Sequence, residues 1–264
     1  MNPDCTLKWL THGDKVKRAI VLVHGYTNNA CQFTELGRKF HDLGYNVLIA
    51  NLPYHGLADR MNTVHARLTA EQLVTYADET IDIAQGLGEQ VIMLGLSMGG
   101  IVTAWAAQNR TDLHLAVVIS PAFGARVIPV RLTATAMNIV LHLKDVFIWW
   151  NPKLKENVPP PYGYPRFSLH TVAQTMRLGF AVQAQARVLL PRAKKILVVF
   201  NPTDLAVNND LNMQVVKLWQ AQHDNVSTYE FEASLNLDHD FIDPNQPNQQ
   251  VDIVYPRLID LVEG

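Results

Sequence analysis

Charged residues are scarce in this chain and are not concentrated anywhere along it. They make up 17% of the 264 residues, and the formal net charge at pH 7 is −2. Proteins that bind nucleic acid or anionic lipid usually present a dense patch of lysine and arginine. The lack of such a patch predicts no nucleic-acid partner, and it favours a ligand that is neutral or apolar.

Cysteine is scarcer still, since Cys5 and Cys31 are the only two. They lie in unrelated segments without a partner motif, so the sequence indicates neither a disulfide framework nor a thiolate metal site. The first eight residues also lack the basic start and the apolar stretch of a signal peptide. These absences predict a location in the reducing cytoplasm.

Long hydrophobic runs are missing as well. One uncharged stretch, residues 91–109, approaches the length of a membrane span, but it contains three glycines and a serine. That composition suits a buried strand joined to a buried helix, so the sequence predicts no stable membrane insertion. Hydrophobic residues still make up 48% of the chain, which is enough for the core of one full domain.

Short β-branched runs alternate along the chain with helical patterns. Strands separated by helices favour right-handed crossovers, and thus an α/β fold with a mostly parallel central sheet flanked by helices. Thr69 and Gln72 have the spacing of a capping box at the start of one such helix. Residues 7–11 predict an antiparallel edge hairpin with the following strand. The other predicted strands are residues 19–23, 46–50, 91–94, 116–119, 196–200 and 227–232.

This alternation stops between residues 124 and 190, a segment that we call the insertion. Helical stretches at residues 133–143 and 171–186 flank three consecutive prolines, which predicts a helical insertion over the carboxyl edge of the sheet, before the penultimate strand. Residues 1–123 and 191–264 are then expected to form the core. Six apolar residues of the insertion are candidates to line a substrate pocket, with simple packing as the alternative; they are Met137, Leu141, Trp149, Trp150, Met176 and Phe180.

The most informative motif is the pentapeptide Gly95-Leu96-Ser97-Met98-Gly99, which has the form G-x-S-x-G. It joins a strand-like run to a helix-like run, a context in which the serine occupies a tight turn and projects its hydroxyl from the top of a sheet. The string alone also arises by chance in glycine-rich turns, so the flanking strand and helix carry the prediction. They make Ser97 the candidate nucleophile.

A serine nucleophile needs a base within hydrogen-bond reach and an acid that orients the base. In this architecture the order along the chain is serine, acid, histidine. His239 lies in the polar loop after the last predicted strand, where the base is expected, and His223 is the alternative. Asp204 follows the strand at residues 196–200 in a turn, and Asp210 is the alternative acid.

Two backbone amides are expected to hold the oxyanion that forms when the nucleophile attacks. The Met98 amide lies at a helix start beside the serine. The second donor should come from the loop after the strand at residues 19–23, where Gly25 lets the backbone approach a substrate closely. The sequence therefore predicts the amides of Tyr26 and Met98 as oxyanion donors, and it favours His24 as a structural histidine rather than a base.

Taken together, these features resemble an α/β-hydrolase, and most closely the monoglyceride lipase, carboxylesterase and serine-aminopeptidase-like branch of that superfamily. Relatives more often read PGHG where this chain has Tyr54, and more often have glycine where it has Asp238. Asp238 and Asp240 flank the proposed base, so we expect them to raise its proton affinity or to compete for it. The motifs that carry the resemblance are His24-Gly25-Tyr26, the pentapeptide around Ser97, Pro53-Tyr54-His55-Gly56, Asp204 and His239.

The resemblance implies that the insertion is a helical cap, inserted before the penultimate strand. It also implies a serine hydrolase that cleaves carboxylic esters of apolar acyl groups through an acyl-enzyme on Ser97. Its partner would be a small-molecule ester, with no metal or organic cofactor, and its oligomeric state is left open. A thioesterase, amidase or acyltransferase on the same triad is an alternative, and so is a ligand-binding homologue without turnover. Trp149 and Trp150 also suit a protein that dips into a membrane surface, but no basic patch accompanies them.

Overall fold

The computed structural model describes residues 1–264. Its strands are β1 (Lys8–Leu10), β2 (Val16–Val23), β3 (Asn46–Ile49), β4 (Gly88–Leu96), β5 (Leu113–Ile119), β6 (Phe147–Trp149), β7 (Arg166–Ser168), β8 (Ile196–Phe200) and β9 (Val226–Glu230). Its α-helices are α1 (Thr34–Asp42), α2 (Ala70–Leu87), α3 (Met98–Asn109), α4 (Val130–His142), α5 (Leu169–Ala186), α6 (Asn209–Gln220) and α7 (Val251–Glu263). None of the helices is both long and apolar enough to cross a membrane.

Seven strands form the central sheet, in the order β1-β3-β2-β4-β5-β8-β9. All neighbouring pairs in it are parallel except β1 with β3, so the predicted α/β fold with a mostly parallel sheet is confirmed. The carboxyl ends of parallel strands meet at one edge of a sheet, and ligands of open α/β sheets bind outside that edge. This topology therefore brings the loops after β2, β4, β8 and β9 together.

The edge strand β1 differs from its prediction. It is antiparallel, as expected, but it pairs with β3, with Lys8 opposite Ile49, and does not form a hairpin with β2. A run of three residues carries too little periodicity to select a partner, so the pairing is decided by the tertiary structure.

Two hydrophobic layers lie on opposite faces of the sheet because side chains alternate along each strand. In β2, Ala19, Val21 and Val23 face a layer that includes buried residues of α2, α3 and α6. The intervening Ile20 and Leu22 face the other layer, which includes buried residues of α1 and α7. Both faces are covered, as expected for a parallel sheet with near-continuous hydrophobic strands.

The insertion lies between β5 and β8 and contains α4, a two-stranded sheet of β6 with β7, and α5. The β6–β7 pair was not predicted, because its two strands have only three residues each. Helix α5 also packs along α3, and it contributes Leu178, Val182 and Ala186 to the core layer around α3. Since α5 belongs to both parts, the division of the chain at residues 124 and 190 stays a prediction.

The two cysteines form a disulfide bond, so the prediction that no disulfide is present was wrong. Cys5 is fully buried, and its partner Cys31 lies in a single turn of 3₁₀ helix at residues 30–33. The side chain of Asn51 strengthens this junction, because it donates to the Cys5 carbonyl and accepts from the Ala30 amide, at 2.8 and 2.7 Å. The two segments are brought together by the fold, which is why sequence spacing gave no sign of the bond.

Candidate active site

Ser97 lies in the tight turn between β4 and α3. Its backbone has φ 60° and ψ −111°, a conformation that residues other than glycine rarely adopt. Neighbouring glycines permit the turn: a Cβ on Gly95 would lie 2.2 Å from the carbonyl oxygen of Gly99, and a Cβ on Gly99 would lie 2.1 Å from that of Val23. This geometry is the one expected of a nucleophile elbow, in which the serine stands above the carboxyl edge of the sheet.

Asp204 lies in the turn after β8, and its side chain is fully buried. Its Oδ1 accepts hydrogen bonds from the amides of Ala206 and Val207, at 2.8 and 3.2 Å. Its Oδ2 lies 2.7 Å from Nδ1 of His239. Because each carboxylate oxygen has its own partners, the orientation of Asp204 is fixed, and it in turn fixes the imidazole.

His239 lies in the segment after β9, which we call the β9 loop (residues 231–250). Asn201, just after β8, holds this loop, because its side-chain amide donates to the carbonyl oxygens of Leu237 and Asp238 at 2.9 and 3.1 Å. The His239 side chain is 22% exposed. Because Nδ1 is bound to Asp204, the other ring nitrogen, Nε2, is free to exchange a proton with groups on the substrate side. The only side-chain hydrogen bond of His239 is the one to Asp204, so none joins it to Ser97 here. Such bonds are often long in enzymes without substrate.

The Asp204–His239 pair shifts the pKa of both groups. Burial lowers the pKa of His239, but the charge of Asp204 and the hydrogen bond to it, with a further contribution from Asp240, raise the pKa above its ordinary value of 6.5. Burial raises the pKa of Asp204, but His239 and the two backbone amides outweigh it and lower the pKa overall. Asp204 is therefore a carboxylate at neutral pH that stabilises a protonated imidazole.

The loop after β2, which we call the β2 loop (residues 24–29), passes beside the elbow. A Cβ on Gly25 would lie 3.5 Å from the Cβ of Ser97. Within the loop, His24 is fully buried: its Nε2 accepts from the Leu52 amide at 2.9 Å, and its Nδ1 donates to the Gly25 carbonyl at 2.8 Å. Burial lowers the pKa of His24 to about 4. Both ring nitrogens hold backbone in place, which is the structural role that the sequence predicted.

The two amides predicted to hold the oxyanion have no acceptor in the protein. Met98 is the first residue of α3, so its N–H has no carbonyl of its own helix to bond. The Tyr26 amide donates to no backbone or side-chain group. One amide follows Ser97 directly and the other lies in the loop beside it, so both are available to an oxygen bound there.

The insertion fixes the β2 loop at several points. The Tyr26 hydroxyl accepts from the Ser168 amide at the start of α5, at 3.0 Å. The Thr27 carbonyl accepts from the Tyr164 amide at 2.7 Å, and the Thr27 hydroxyl accepts from the indole N–H of Trp150 at 2.8 Å. These bonds set the position of the backbone that carries the Tyr26 amide.

Only part of the predicted pocket lining lies near this loop. Trp150 is 45% exposed and bonds to Thr27 as described, while Trp149 packs beside the guanidinium of Arg166, whose carbon lies 6.0 Å from the ring centre. The other four predicted residues pack against one another between α4 and α5, which is the alternative given above; they are Met137, Leu141, Met176 and Phe180. Their role in binding substrate stays a prediction.

The alternative base and acid take no part in the hydrogen bonds of this site. His223 precedes β9, at the amino end of that strand and thus at the opposite edge of the sheet, where its Nδ1 accepts from the Asn225 amide at 3.1 Å. Asp210 lies in the first turn of α6 and is exposed. Neither is bonded to Ser97, Asp204 or His239.

Three polar residues around the base were not predicted from the sequence: Asn28, Tyr162 and Asp243. Asp243 is fully buried, and it accepts hydrogen bonds from Asn28 of the β2 loop and Tyr162 of the insertion. The one signal available was the pair of aspartates at positions 240 and 243, because a polar loop that buries carboxylates must supply donors to them. Asn28 and Tyr162 lie more than 80 positions from Asp243, and no sequence pattern records such contacts.

Comparison with known proteins gives the same fold. Residues 14–230 match the family Hydrolase_4, described as serine aminopeptidase, S33. Phospholipase YtpA of Bacillus subtilis (strain 168) is 28% identical over 121 residues, which cover 45% of this chain and 46% of that one. The thermostable monoacylglycerol lipase of Bacillus sp. (strain H-257) is 25% identical over 120 residues, covering 43% and 44%. The chain thus spans about half the length of these curated relatives.

Solved structures extend the likeness to nearly the whole chain. The monoacylglycerol lipase of Paleococcus ferrophilus superposes with a TM-score of 0.72 at 17% identity, covering 97% of each chain. A soluble variant of the monoglyceride lipase of Saccharomyces cerevisiae, solved with a substrate analogue, gives 0.73 at 12% identity, covering 97% of this chain and 90% of that one. With the fold and the family match in agreement, this chain is an α/β-hydrolase that belongs to the serine aminopeptidase S33 family.

Proposed function

We propose that this protein is a serine hydrolase that cleaves carboxylic esters of apolar acyl groups. The observation that carries the proposal is the 2.7 Å bond between Asp204 and Nδ1 of His239, formed at the sheet edge above which the elbow raises Ser97. The names of the relatives, a phospholipase and a monoacylglycerol lipase, agree with an ester substrate. The absence of a basic patch in the sequence agrees with an uncharged one.

In the proposed reaction, His239 removes the Ser97 proton while the serine oxygen attacks the ester carbonyl carbon. The negative charge that develops on the carbonyl oxygen is held by the amides of Tyr26 and Met98, and the Asp204 carboxylate stabilises the imidazolium. The tetrahedral intermediate collapses by breaking the bond to the alcohol oxygen, which receives the proton from His239. Water then attacks the acyl-enzyme by the same steps, releasing the acid and regenerating Ser97.

The same groups would also serve a thioesterase, an amidase or an acyltransferase, since pocket shape and water access separate these reactions. Esters are favoured because both curated relatives carry the names of ester hydrolases. A ligand-binding role without turnover would need neither the strained serine nor the bonded acid and base. The predicted cytoplasmic location has no support from the Cys5–Cys31 bond, because disulfides persist mainly in oxidising compartments.

Pre-steady-state kinetics with p-nitrophenyl butyrate test the proposal. The wild-type protein is expected to release a burst of p-nitrophenol equal to the enzyme concentration, whereas Ser97→Ala should lose the burst and about 10⁴-fold or more of kcat. Ser120→Ala is the matched control, because Ser120 follows β5 at the same sheet edge and also has a positive φ, of 39°. A burst that survives in Ser97→Ala would refute the nucleophile, and an inert wild-type protein would refute the function.

A further inference from the structure

Two carboxylates lie next to the proposed base: Asp240, which is half-buried, and Asp243, which is fully buried. We call them the carboxylate pair. A single side-chain amide joins them: Nδ2 of Asn28 lies 3.0 Å from Oδ2 of Asp240 and 3.0 Å from Oδ2 of Asp243. The backbone N–H of Asp243 adds a bond to Oδ1 of Asp240 at 3.3 Å. Since Asp240 follows His239 directly, the pair ties the base to the β2 loop.

Asp243 is fully buried and is surrounded by donors. The Tyr162 hydroxyl donates to its Oδ1 at 2.6 Å, and the backbone and side-chain N–H groups of Asn245 donate to the same oxygen at 2.9 and 3.2 Å. Together with Asn28 this makes four hydrogen bonds. Such a set matches a carboxylate anion, which accepts hydrogen bonds and donates none.

Asn28 lies two residues after Tyr26, the proposed oxyanion donor. Its own amide donates to the Gly25 carbonyl at 3.2 Å, and its side-chain oxygen accepts from the Asn29 amide at 2.9 Å. The Asn28 side chain thus closes the turn of the β2 loop through its oxygen and donates to both members of the carboxylate pair through its nitrogen. Any shift of the pair moves the turn that carries the Tyr26 amide.

Tyr162 brings the insertion into the same network. Its hydroxyl bonds to Asp243, and its carbonyl accepts from Nδ2 of Asn29 at 3.0 Å. Burial, and the nearby charge of Asp243, raise the pKa of Tyr162, so its hydroxyl keeps its proton and stays a donor. The β2 loop, the β9 loop and the insertion therefore meet at one carboxylate.

We infer that Asp243 is a positioning residue for the proposed reaction, which sets the distance between the base and the oxyanion donors through Asn28, Asp240 and Tyr162. The inference rests on the proposed function, since it concerns the alignment of that site. Asp243 is not one of the three proposed catalytic residues, and it is linked to them only through neighbouring residues. Alignment of this kind acts on the transition state, so its loss lowers kcat more than it raises KM.

The carboxylate pair also affects the proposed base through its charge. Burial, and then the charge of Asp243, raise the pKa of Asp240 to about 6, and the charge of Asp240 raises the pKa of His239. The other charged or titratable groups that act on this region are Asp204, Tyr162, Tyr255 and Glu35. A change in the pair that releases Asp240 from Asn28 therefore alters the pH profile of the base, which a purely structural role would not do.

The test uses the full-length protein, p-nitrophenyl butyrate and a fluorophosphonate. Asp243→Asn turns one acceptor into a donor facing Asn28, and we expect kcat to fall at least tenfold while KM changes less than threefold. The rate of reaction with fluorophosphonate should fall by the same factor, and the apparent pKa in the kcat/KM profile should shift. Asp238→Asn is the matched control. Asp238 also flanks His239, but its side chain is exposed, bonds only to Asn248 and is not among the charges that raise the pKa of His239, so both rates should stay within twofold.

A double-mutant cycle shows whether Asn28 and Asp243 act as one unit. Asn28→Ala combined with Asp243→Asn should be no slower than the slower single variant, because the same link is already broken. Additive losses would overturn the inference. If Asp243→Asn does not fold, Tyr162→Phe provides the test, because it removes only the hydroxyl that bonds to Asp243. We expect Tyr162→Phe to lower kcat at least threefold with little change in the melting temperature.

The outcomes separate the inference from the proposed function. If the wild-type protein neither reacts with fluorophosphonate nor hydrolyses the ester, the proposed function is wrong and the inference fails with it. If the wild-type protein reacts, and Asp243→Asn and Tyr162→Phe keep its kcat and pH profile, only the inference is wrong. The inference alone is also wrong if these variants have lower melting temperatures but unchanged kcat and pH profiles.

Discussion

Ser97 has a backbone conformation that costs free energy, of order 1–3 kcal/mol for a residue of this kind. It is kept there because β4 and α3 are both anchored: the Ser97 amide donates to the Ile119 carbonyl at 2.9 Å, and the Ser97 carbonyl accepts from the Ala122 amide at 3.2 Å. The absence of side chains at the two flanking glycines lets these backbones approach. The strained serine is therefore a consequence of how closely β4, β5 and α3 pack.

Gly99→Ala should disrupt this packing. The added Cβ would lie 2.1 Å from the Val23 carbonyl oxygen, which is backbone of the neighbouring strand and cannot move aside cheaply. We expect the free energy of unfolding to fall by about 3 kcal/mol or more, measured by urea denaturation. Gly86→Ala is the control, because Gly86 lies within α2 with nothing near its Cβ position, so alanine should stabilise by about 0.5–1 kcal/mol. Equal stability of Gly99→Ala and the parent would contradict the elbow geometry.

The proton affinity of His239 predicts how activity depends on pH. A general base must be neutral to accept a proton, and the Asp204 charge raises the pKa of His239 above 6.5. The value of kcat/KM for an uncharged ester should therefore be highest in the neutral to alkaline range and fall as pH drops through an apparent pKa above 6.5. Asp240→Asn should move that apparent pKa downward, because it removes a negative charge beside the imidazole. An apparent pKa below 6.5 in the parent protein would contradict the assignment of the base.

At this scale the sequence predicted Ser97, Asp204 and His239 from the order of motifs and from the strand that precedes each. The pairing of Cys5 with Cys31 could not be predicted in this way, because the two residues lie 26 positions apart in segments without a shared pattern. The local sequence indicates which backbone conformation a residue adopts. It does not indicate which distant side chain that residue contacts.

Arg60 shows how a single side chain can hold an irregular element. Its guanidinium donates to four backbone carbonyls of the proline-rich part of the insertion, those of Glu156, Val158, Pro160 and Gly163, at 2.6–3.2 Å. This segment has few hydrogen bonds of its own, because proline has no N–H to donate. One planar donor group therefore replaces the missing internal bonds and sets the path of the chain that carries Tyr162.

Arg60→Lys should loosen that segment. Lysine keeps the charge but has one nitrogen in place of a planar fork, so several carbonyls lose their donor. We expect stability to fall by about 1–3 kcal/mol, and limited proteolysis to cut faster between residues 154 and 166. Arg67→Lys serves as the control, because Arg67 is exposed and makes no side-chain hydrogen bond. Identical cleavage rates in the two variants would contradict the role given to Arg60.

Elements with strong periodicity were predicted well. The strand at residues 196–200 matches β8 at both ends, and the capping box formed by Thr69 and Gln72 is present at the start of α2. The failures were short elements, such as the partner of β1 and the pair β6 with β7, where three residues cannot define a periodicity. In those elements tertiary contacts decide the pairing.

At the scale of the whole molecule, three buried histidines lie in or beside the β2 loop: His24 belongs to it, and His55 and His65 lie against its Tyr26. Burial lowers the pKa of His24 and of His65 to about 4, and it lowers that of His55 well below 6.5. The Nε2 atoms of His55 and His65 also have no hydrogen-bond partner. The folded protein therefore keeps three imidazoles neutral that the unfolded chain would protonate in mild acid.

Stability should consequently fall as pH is lowered from 6.5 towards 4. In this interval the unfolded state binds more protons at these histidines, so the free energy of unfolding decreases, by about 3 kcal/mol for His24 alone. Asp240 and His239 act in the opposite sense, because their raised pKa values make the folded state bind their protons more readily, but they are two groups against three. Urea denaturation at pH 7 and pH 4.5 measures the difference. Equal free energies at the two pH values would contradict the neutral, buried state of these histidines.

The general arrangement of the molecule followed from the sequence, because alternating strands and helices leave few topologies for a parallel sheet. The network around Asp243 did not follow from it. It joins Asn28, Tyr162 and Asp243, which come from the β2 loop, the insertion and the β9 loop. Such contacts exist only once the sheet has brought these three segments to the same edge.

The central claim is that Ser97 is a nucleophile activated by His239 and Asp204. It is tested most directly by treating the folded protein with a fluorophosphonate and locating the adduct by peptide mass spectrometry. The account predicts one adduct, on Ser97, that forms rapidly in the wild-type protein, is absent in Ser97→Ala, and forms far more slowly in His239→Ala. An adduct on another serine, or a Ser97 that stays unmodified in the folded wild-type protein, would contradict it.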